Sequence, residues 1–223
     1  MREPIEIIYE DSELIVCVKQ AGLVSETGAK NSLPDILADQ LAEQGRTTNL
    51  FVVHRLDREA GGVMVYAKTA ACAAHLSRQM TEGGFDKRYM AVLCGVPEAG
   101  EGEFRDLLYH DRQKNKTYVV KRQRRGVKSA RLHYSVLGEK AGRCLVDVKL
   151  YTGRTHQIRV QFASRRLPLL GDAKYGGDKQ ATMALWSYRL SFVHPSDKTM
   201  SFLSLPCRES AFESFLDTIQ NFE

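Results

Sequence analysis

The sequence predicts an α+β fold, with many strands joined by short turns and three or four helices. Short runs rich in β-branched and aromatic residues are separated by turn-forming clusters of hairpin length. The helical patterns do not alternate regularly with these runs, as they would in a parallel βαβ sheet. No repeat, linker or low-complexity segment divides the 223 residues, so we expect residues 1–223 to form a single domain.

The N-terminal elements lead to one polar loop. Residues 5–9 and 14–18 are apolar runs separated by turn residues, and both predict strands. Ser32 is suited to cap a helix that extends to Gly45, because its hydroxyl can accept from a free backbone N–H. Residues 50–53 then predict a short buried strand.

The loop after that strand is rich in side chains that can take part in chemistry. It carries five charged or titratable side chains and two glycines, and residues 63–67 follow it as a second buried strand. A polar loop held between two core strands fixes a reactive group rigidly, and Asp57 is our candidate for that group. The alternative is a surface turn with ordinary salt bridges.

The remaining elements follow in order. Residues 69–80 predict a helix that stops at a glycine pair, and residues 86–94 predict a strand that starts basic and becomes apolar. After a loop over residues 97–102, the apolar patterns predict strands over 118–120, 130–137, 144–150, 185–192 and 200–205. Two further helices are predicted. One is capped by Thr155 and runs to about 164, and the other is C-terminal, with Phe212, Phe215, Leu216 and Ile219 on its apolar face.

Charge distribution suggests an anionic partner. The formal net charge is only +5, but residues 114–131 hold eight Lys and Arg side chains and no acidic one. Such a block favours RNA or DNA, or it is a solvated hairpin. A second cluster of donors, Arg154, Thr155, His156, Gln157 and Arg159, lies at a predicted helix start, where free amides favour anions; a surface helix start with spare charge is the alternative.

Composition excludes several other classes. No apolar run is long enough to span a bilayer, and the N-terminus has no signal-peptide core, so we expect a cytoplasmic protein without a membrane partner. The five cysteines are far apart and form no CxxC pair, which argues against a disulfide framework or a zinc site. The sequence also shows no phosphate-loop or metal-ligand spacing.

Three long motifs, in order along the chain, resemble those of the RluA-type RNA pseudouridine synthases. The first is Val53–Asp57 followed by Gly62, the second is Lys87–Val92 through Gly95, and the third is Gly153–Val160 with Pro168 and Gly171–Gly176. The resemblance implies a bent, mixed, largely antiparallel sheet with flanking helices. Many members carry an additional N-terminal RNA-binding domain of the S4 type. This sequence begins directly at the first strand of the catalytic domain, so we expect a stand-alone catalytic domain here. One departure is that Ala60-Gly61 replaces the family's usual Thr-Ser.

The same resemblance implies the chemistry. Uridine within RNA would be isomerised to pseudouridine, with the target base flipped out of its stack. This reaction would require no metal and no organic cofactor, which agrees with the absence of such motifs in the sequence. Asp57 would act either as a nucleophile at C1′ or as a base on the 2′ proton, and both roles remain open. Arg154 matches the arginine that pairs with this carboxylate, Tyr89 matches the tyrosine that stacks on the target base, and Leu185 would form an apolar wall.

We expect the RNA contacts to come from three places. His54, Arg55 and Arg58 flank Asp57, and they would contact the flipped nucleotide's phosphates or fill its vacated place. The helix start adds His156 and Gln157. The basic block adds a last group, which would grip the backbone of a ribosomal or transfer RNA stem-loop: Lys121, Arg122, Arg124 and Arg125.

Two rival functions stay open. The first is a catalytically silent RNA-binding protein of the same fold, which the loss of two loop hydroxyls at Ala60-Gly61 favours. The second is a glycosidase or nucleosidase, which needs a paired carboxylate at suitable spacing; Glu59 is too close in sequence to Asp57 to supply it. No feature indicates an obligate protein partner, and we expect a monomer.

Overall fold

The computed structural model describes residues 4–46, 49–178 and 181–222. The chain forms two compact units. Unit 1 consists of Met1–Lys87 and Ser187–Ser204, and unit 2 consists of Arg88–Trp186 and Leu205–Glu223. The interpretation of residues 1–223 as a single domain stays a prediction.

The helices and strands confirm an α+β class with a largely antiparallel sheet. In chain order they are β1 (Ile7–Glu10), β2 (Leu14–Lys19), α1 (Leu33–Glu43), β3 (Phe51–Val52), β4 (Gly61–Ala67), α2 (Ala70–Glu82), β5 (Asp86–Leu93), β6 (Glu101–Asp111), β7 (Lys116–Val120), β8 (Val127–Lys140), β9 (Arg143–Leu150), α3 (Gln157–Ala163), β10 (Leu185–Val193), β11 (Thr199–Leu203), a 3-10 turn (Ser210–Phe215) and α4 (Leu216–Gln220).

In unit 1, which holds β10 from Ser187 onward, the strand order is β1-β2-β4-β10, with β3 paired to β4 and β11 paired to β10. Every residue of β4 is buried, because this strand lies between neighbours and its apolar side chains fill both faces. Gly62 is required in this strand. Its φ is +116°, and a Cβ there would lie 2.2 Å from the Ser187 carbonyl oxygen. The loop that carries Asp57 therefore enters a rigid central strand.

The first helix of unit 1 has its predicted cap, and the second has its predicted stop and a cap that was not predicted. The Ser32 hydroxyl accepts from the Asp35 N–H at 3.3 Å, and the Thr69 hydroxyl accepts from the Cys72 N–H at 3.1 Å. Gly83 ends α2 in the left-handed conformation. The predicted strand over 50–53 was wrong in extent and burial, since β3 has two residues and Phe51 is 38% exposed.

In unit 2 the strand order is β5-β9-β8-β6-β7, and each of these neighbouring pairs is antiparallel. Strand β6 was not predicted from the sequence. It lies between β8 and β7, and its exposed face carries charged residues. The prediction of a basic hairpin was wrong, because β7 and β8 do not pair with each other but flank β6. The basic block instead covers β7, the turn over residues 121–126 and the start of β8.

The helix of the third motif starts later than predicted. α3 begins at Gln157, its N-cap is His156 with a φ of 54°, and no side chain caps it, so Thr155 is not the cap. At the C-terminus, three of the four predicted apolar residues, Phe212, Phe215 and Ile219, are buried, and Leu216 is half-buried. The single helix that was predicted there is instead the 3-10 turn followed by α4. None of the helices within the described ranges has the length and apolar character that crossing a bilayer requires.

Candidate active site

Asp57 lies on the loop of unit 1 that leads into β4. It is half-buried, between the buried Leu56 and the exposed Arg58. The Ala60 N–H donates to the Asp57 carbonyl at 3.1 Å, which closes a tight turn over these residues. The turn fixes the backbone of Asp57, and the residue as a whole stays partly exposed.

A buried serine holds the residue before Asp57. The Ser25 hydroxyl accepts from the Leu56 N–H at 3.1 Å and donates to the Leu56 carbonyl at 3.0 Å. Ser25 is 3% exposed, and its own carbonyl accepts from the Tyr66 hydroxyl on β4 at 3.3 Å. The backbone of Leu56 is thereby tied to unit 1 on both its N–H and C=O sides.

A buried lysine holds the residues after Asp57. Lys19, at the end of β2, is completely buried, and its ammonium donates to the carbonyls of Arg58 at 3.0 Å and Ala60 at 2.5 Å. Burial lowers the pKa of Lys19 to about 8, and the charges of Asp57 and Glu59 oppose that shift. The ammonium therefore fixes the turn and places a positive charge near Asp57.

His54 lies in the core, contrary to the prediction that it contacts RNA. It is 8% exposed, its ring lies against Phe85 with centroids 5.7 Å apart, and its Nε2 accepts from the Val65 N–H at 3.1 Å. Burial lowers the pKa of His54 to about 3, and Lys87 adds to this effect. A neutral, buried imidazole is a poor phosphate ligand, so we assign His54 a supporting role.

The two arginines of the loop are exposed, as a role in RNA contact requires. The Arg55 guanidinium pairs with Glu26 at 2.9 Å, and both side chains are largely in solvent. Such a pair is weak and is broken easily by a competing phosphate. The Arg58 Nε donates to the Gly22 carbonyl at 3.3 Å, beside a surface cavity of about 320 Å³.

In unit 2, the predicted base-contacting residues lie on two strands. Tyr89 of β5 is opposite Val148 of β9 and is 5% exposed. Leu185, at the start of β10, is also 5% exposed. Both are therefore rigidly held, and their contact with a flipped uracil stays a prediction.

Arg154 lies in a turn that its own neighbours organise. Its Nε donates to the Ser129 carbonyl at 3.0 Å, and its backbone N–H donates to the Gln157 Oε1 at 3.0 Å. Gln157 also accepts from the Thr152 hydroxyl at 2.8 Å and donates to the Arg131 carbonyl at 3.1 Å. Since Gln157 is buried and both its amide oxygen and its amide nitrogen make hydrogen bonds, its function here is to shape the Arg154 turn.

His156 joins the third motif to the edge strand β7. Its Nδ1 lies 2.9 Å from the Tyr175 hydroxyl, which accepts from the Thr117 N–H at 2.7 Å. The Thr117 hydroxyl in turn donates to the Thr155 carbonyl at 2.8 Å. His156 is 8% exposed. Like Gln157, it therefore holds neighbouring residues in place and is too buried to contact RNA directly.

A buried ion pair connects α3 to the later part of the third motif. Arg159 donates to both carboxylate oxygens of Asp172, at 2.7 and 2.8 Å, and both side chains are almost fully buried. A bidentate pair of this kind holds its geometry closely. It explains why Arg159 is not available to an anion, although the sequence placed it in the donor cluster.

The basic loop, residues 121–126, is the exposed cationic feature of unit 2. All four of its charged side chains are exposed, and the Arg124 guanidinium lies 4.9 Å from the centre of the Tyr109 ring. Near the Arg154 turn, the exposed Tyr151 ring is flanked by Arg131 at 4.1 Å and Lys149 at 5.7 Å. An aromatic ring among cations is a typical platform for a nucleic-acid base.

A sequence model described as RNA pseudouridylate synthase matches residues 13–164, which include Asp57, Tyr89 and Arg154. The chain belongs to this family. It is 36% identical to the ribosomal large subunit pseudouridine synthase D of Neisseria meningitidis serogroup B, over 89% of this chain and 57% of that protein. It is 33% identical to the protein of that name from Zymomonas mobilis, over 89% and 68%, and 34% identical to an uncharacterized RNA pseudouridine synthase of Aquifex aeolicus, over 86% and 66%.

Solved structures of the family agree in fold. The human RNA pseudouridylate synthase domain containing 4 matches with a TM-score of 0.75 at 23% identity, over 96% of this chain and 93% of that one. Human RNA pseudouridylate synthase domain containing 1 matches with a TM-score of 0.76 at 18% identity, over 98% and 95%. By contrast, the chain spans about 57% of the length of the Neisseria relative.

The catalytic residues that the resemblance implies are divided between the two units. Asp57 lies in unit 1, whereas Tyr89, Arg154 and Leu185 lie in unit 2, so their convergence on one uridine stays a prediction. Within the described ranges no group of three or more His, Cys, Asp or Glu side chains could hold a metal. Lys19, Ser25 and Tyr151 were not predicted as functional residues from the sequence. Only Lys19 could have been found there, because it is a charged residue at the end of an apolar strand.

Proposed function

We propose that this chain isomerises uridine in structured RNA to pseudouridine, with Asp57 as the catalytic carboxylate. The observation that carries the proposal is the loop geometry. Asp57 is half-buried on a turn whose flanking backbone is held by buried donors, Ser25 before it and Lys19 after it. Catalysis requires such positioning, because small displacements of a reacting group reduce rates strongly.

In the proposed reaction the uracil N1–C1′ bond breaks, the uracil turns over, and C5 bonds to C1′. The C5 proton leaves to solvent and N1 regains a proton, so no redox partner is required. An ionised Asp57 serves either as the nucleophile at C1′ or as the base for the 2′ proton.

Unit 2 would bind and orient the substrate. Tyr89 and Leu185 would contact the flipped uracil, and Arg154 would pair with the Asp57 carboxylate. Arg55 and Arg58 of unit 1 would occupy or line the space that the base leaves, at an unstacking cost of a few kcal/mol. The basic loop would hold the RNA backbone through its four exposed cations.

We assign the substrate to ribosomal RNA in the first place, because two of the relatives are described as ribosomal large subunit pseudouridine synthases. Transfer RNA is the second candidate. A cytoplasmic location and a monomeric enzyme without a protein partner are part of the same proposal.

The test uses unmodified RNA transcripts labelled with tritium at C5 of uridine. Large-subunit ribosomal RNA and transfer RNA are incubated separately with the wild-type protein, Asp57→Asn and Glu59→Gln. We expect release of tritium to water by the wild type and by Glu59→Gln, and a rate at least about 10³-fold lower for Asp57→Asn. The control removes a carboxylate from the same loop.

Each outcome is informative. The RNA that releases tritium identifies the substrate class. No release by the wild type from either RNA, together with tight binding, would support the silent RNA-binding protein that Ala60-Gly61 suggests. Equal loss in Asp57→Asn and Glu59→Gln would contradict the assignment of Asp57.

A further inference from the structure

The segment of residues 24–32, here called the serine loop, approaches the catalytic loop from outside the family's three motifs. A bridge between Val24 and Ser32 closes it at its base, and residues 26–30 are exposed. Ser25, by contrast, is 3% exposed, and its hydroxyl bonds to the backbone of Leu56 in unit 1. The proposed reaction, as set out above, uses no residue of this loop.

Ser25 makes two bonds to the backbone of a single residue. Its hydroxyl accepts from the Leu56 N–H at 3.1 Å and donates to the Leu56 carbonyl at 3.0 Å. The second bond matters most, because that carbonyl belongs to the peptide unit joining Leu56 to Asp57. The orientation of this peptide plane determines where the Asp57 side chain starts.

The position of Ser25 is itself fixed. Its carbonyl accepts from the Tyr66 hydroxyl, and Tyr66 is a fully buried residue of β4. A chain of three residues, Tyr66, Ser25 and Leu56, thus connects the central strand of unit 1 to the residue before Asp57. Every member is buried, so solvent does not compete for these bonds.

We propose that Ser25 is a positioning residue for Asp57, acting through the Leu56–Asp57 peptide. The inference rests on the proposed function. The Ser25 hydroxyl acts on the residue immediately before Asp57, from a segment that none of the three motifs includes.

The experiment compares Ser25→Ala, Ser25→Thr and Thr27→Ala. Thr27 is exposed on the same loop, so its replacement removes a hydroxyl of similar size without touching Leu56. The readouts are the single-turnover rate of tritium release at saturating RNA and the Kd for the same RNA. Active protein is counted by titration against tightly binding RNA, so that unfolded molecules do not enter the rate.

We expect Ser25→Ala to lower the saturated rate about tenfold or more while its Kd stays within about twofold of the wild type. Ser25→Thr, which keeps the hydroxyl, should recover a substantial part of the rate. Thr27→Ala should match the wild type in both readouts. A role confined to stability would lower the amount of active protein and leave the rate per active molecule unchanged.

Two results would overturn the inference. One is a wild-type rate per active molecule in Ser25→Ala; the other is a weaker Kd with an unchanged saturated rate, which would make Ser25 an RNA-binding residue. Failure of the wild type to release tritium is distinguishable, because it would reject the proposed function and the inference with it.

Discussion

The Asp57 loop of unit 1 and the basic loop of unit 2 are built in opposite ways. Asp57 is surrounded by buried donors directed at backbone carbonyls, from Lys19 and Ser25. The basic loop is exposed along residues 121–126, and one of its cations lies over the Tyr109 ring. The difference shows how one chain separates rigid placement of a reactive group from salt-dependent attraction of a polyanion.

Removal of the charges of the basic loop tests this difference with the largest expected effect. Replacing Lys121, Arg122, Arg124 and Arg125 by Gln should weaken RNA binding about 100-fold at low salt and reduce the slope of log K against log salt by about 3. The saturated rate should remain, because none of these side chains supports Asp57. Fluorescence anisotropy over a salt series measures both quantities.

The matched control removes four exposed cations elsewhere. Arg78, Lys140, Lys198 and Arg208 are exposed and lie outside the block of residues 114–131. Their joint replacement by Gln changes the net charge equally. Equal effects of the two variants on the salt slope would show that total charge, rather than the basic loop, attracts the RNA.

Lys19→Met tests the other side of the comparison. The change leaves the Arg58 and Ala60 carbonyls without their buried donor, so the saturated rate should fall about 10–100-fold with the Kd little changed. Because the pKa of Lys19 is about 8, the wild-type rate should also fall as the pH rises above 8, and the variant should lack that decline. Lys68→Met removes another partly buried lysine of unit 1 as the control.

A rate that falls equally in Lys19→Met and Lys68→Met would indicate general destabilisation. An alkaline decline that persists in Lys19→Met would assign the titration to another group.

His54 has the smallest expected effect, which concerns stability alone. Its folded-state pKa is about 3, below the ordinary 6.5, so the unfolded chain takes up a proton first as the pH falls. Stability present above pH 6.5 should therefore be lost on acidification, by about 2 kcal/mol between pH 7 and 5. His54→Gln keeps an acceptor for the Val65 N–H and removes the titration.

Urea unfolding at pH 7 and 5 measures this difference between the two proteins. Parallel losses of stability in the wild type and His54→Gln would show that His54 is not the group responsible.

The sequence predicts local features of this molecule well. The cap at Ser32 and the stop at Gly83 depend on neighbours within one helical turn, and both are confirmed. The buried strand β4 follows from its continuous apolar run. The three motifs likewise carry enough local pattern to identify the family.

Features that depend on distant partners were missed or misplaced. The strand β6 carries charged residues on one face, and its pairing with β7 and β8 is absent from its own pattern. Ser25 and Lys19 contact a loop more than thirty residues away, and one sequence does not reveal such pairs. His54, His156 and Gln157 look like ligands in sequence, because polarity is visible there and burial is not.

The most direct test places the two regions side by side. The saturated rate of tritium release and the RNA Kd are measured for Asp57→Asn and for the variant lacking the four basic-loop charges. We predict that Asp57→Asn loses the rate and keeps the Kd, whereas the basic-loop variant keeps the rate and loses affinity. Isomerisation by Asp57→Asn at the wild-type rate would contradict the account.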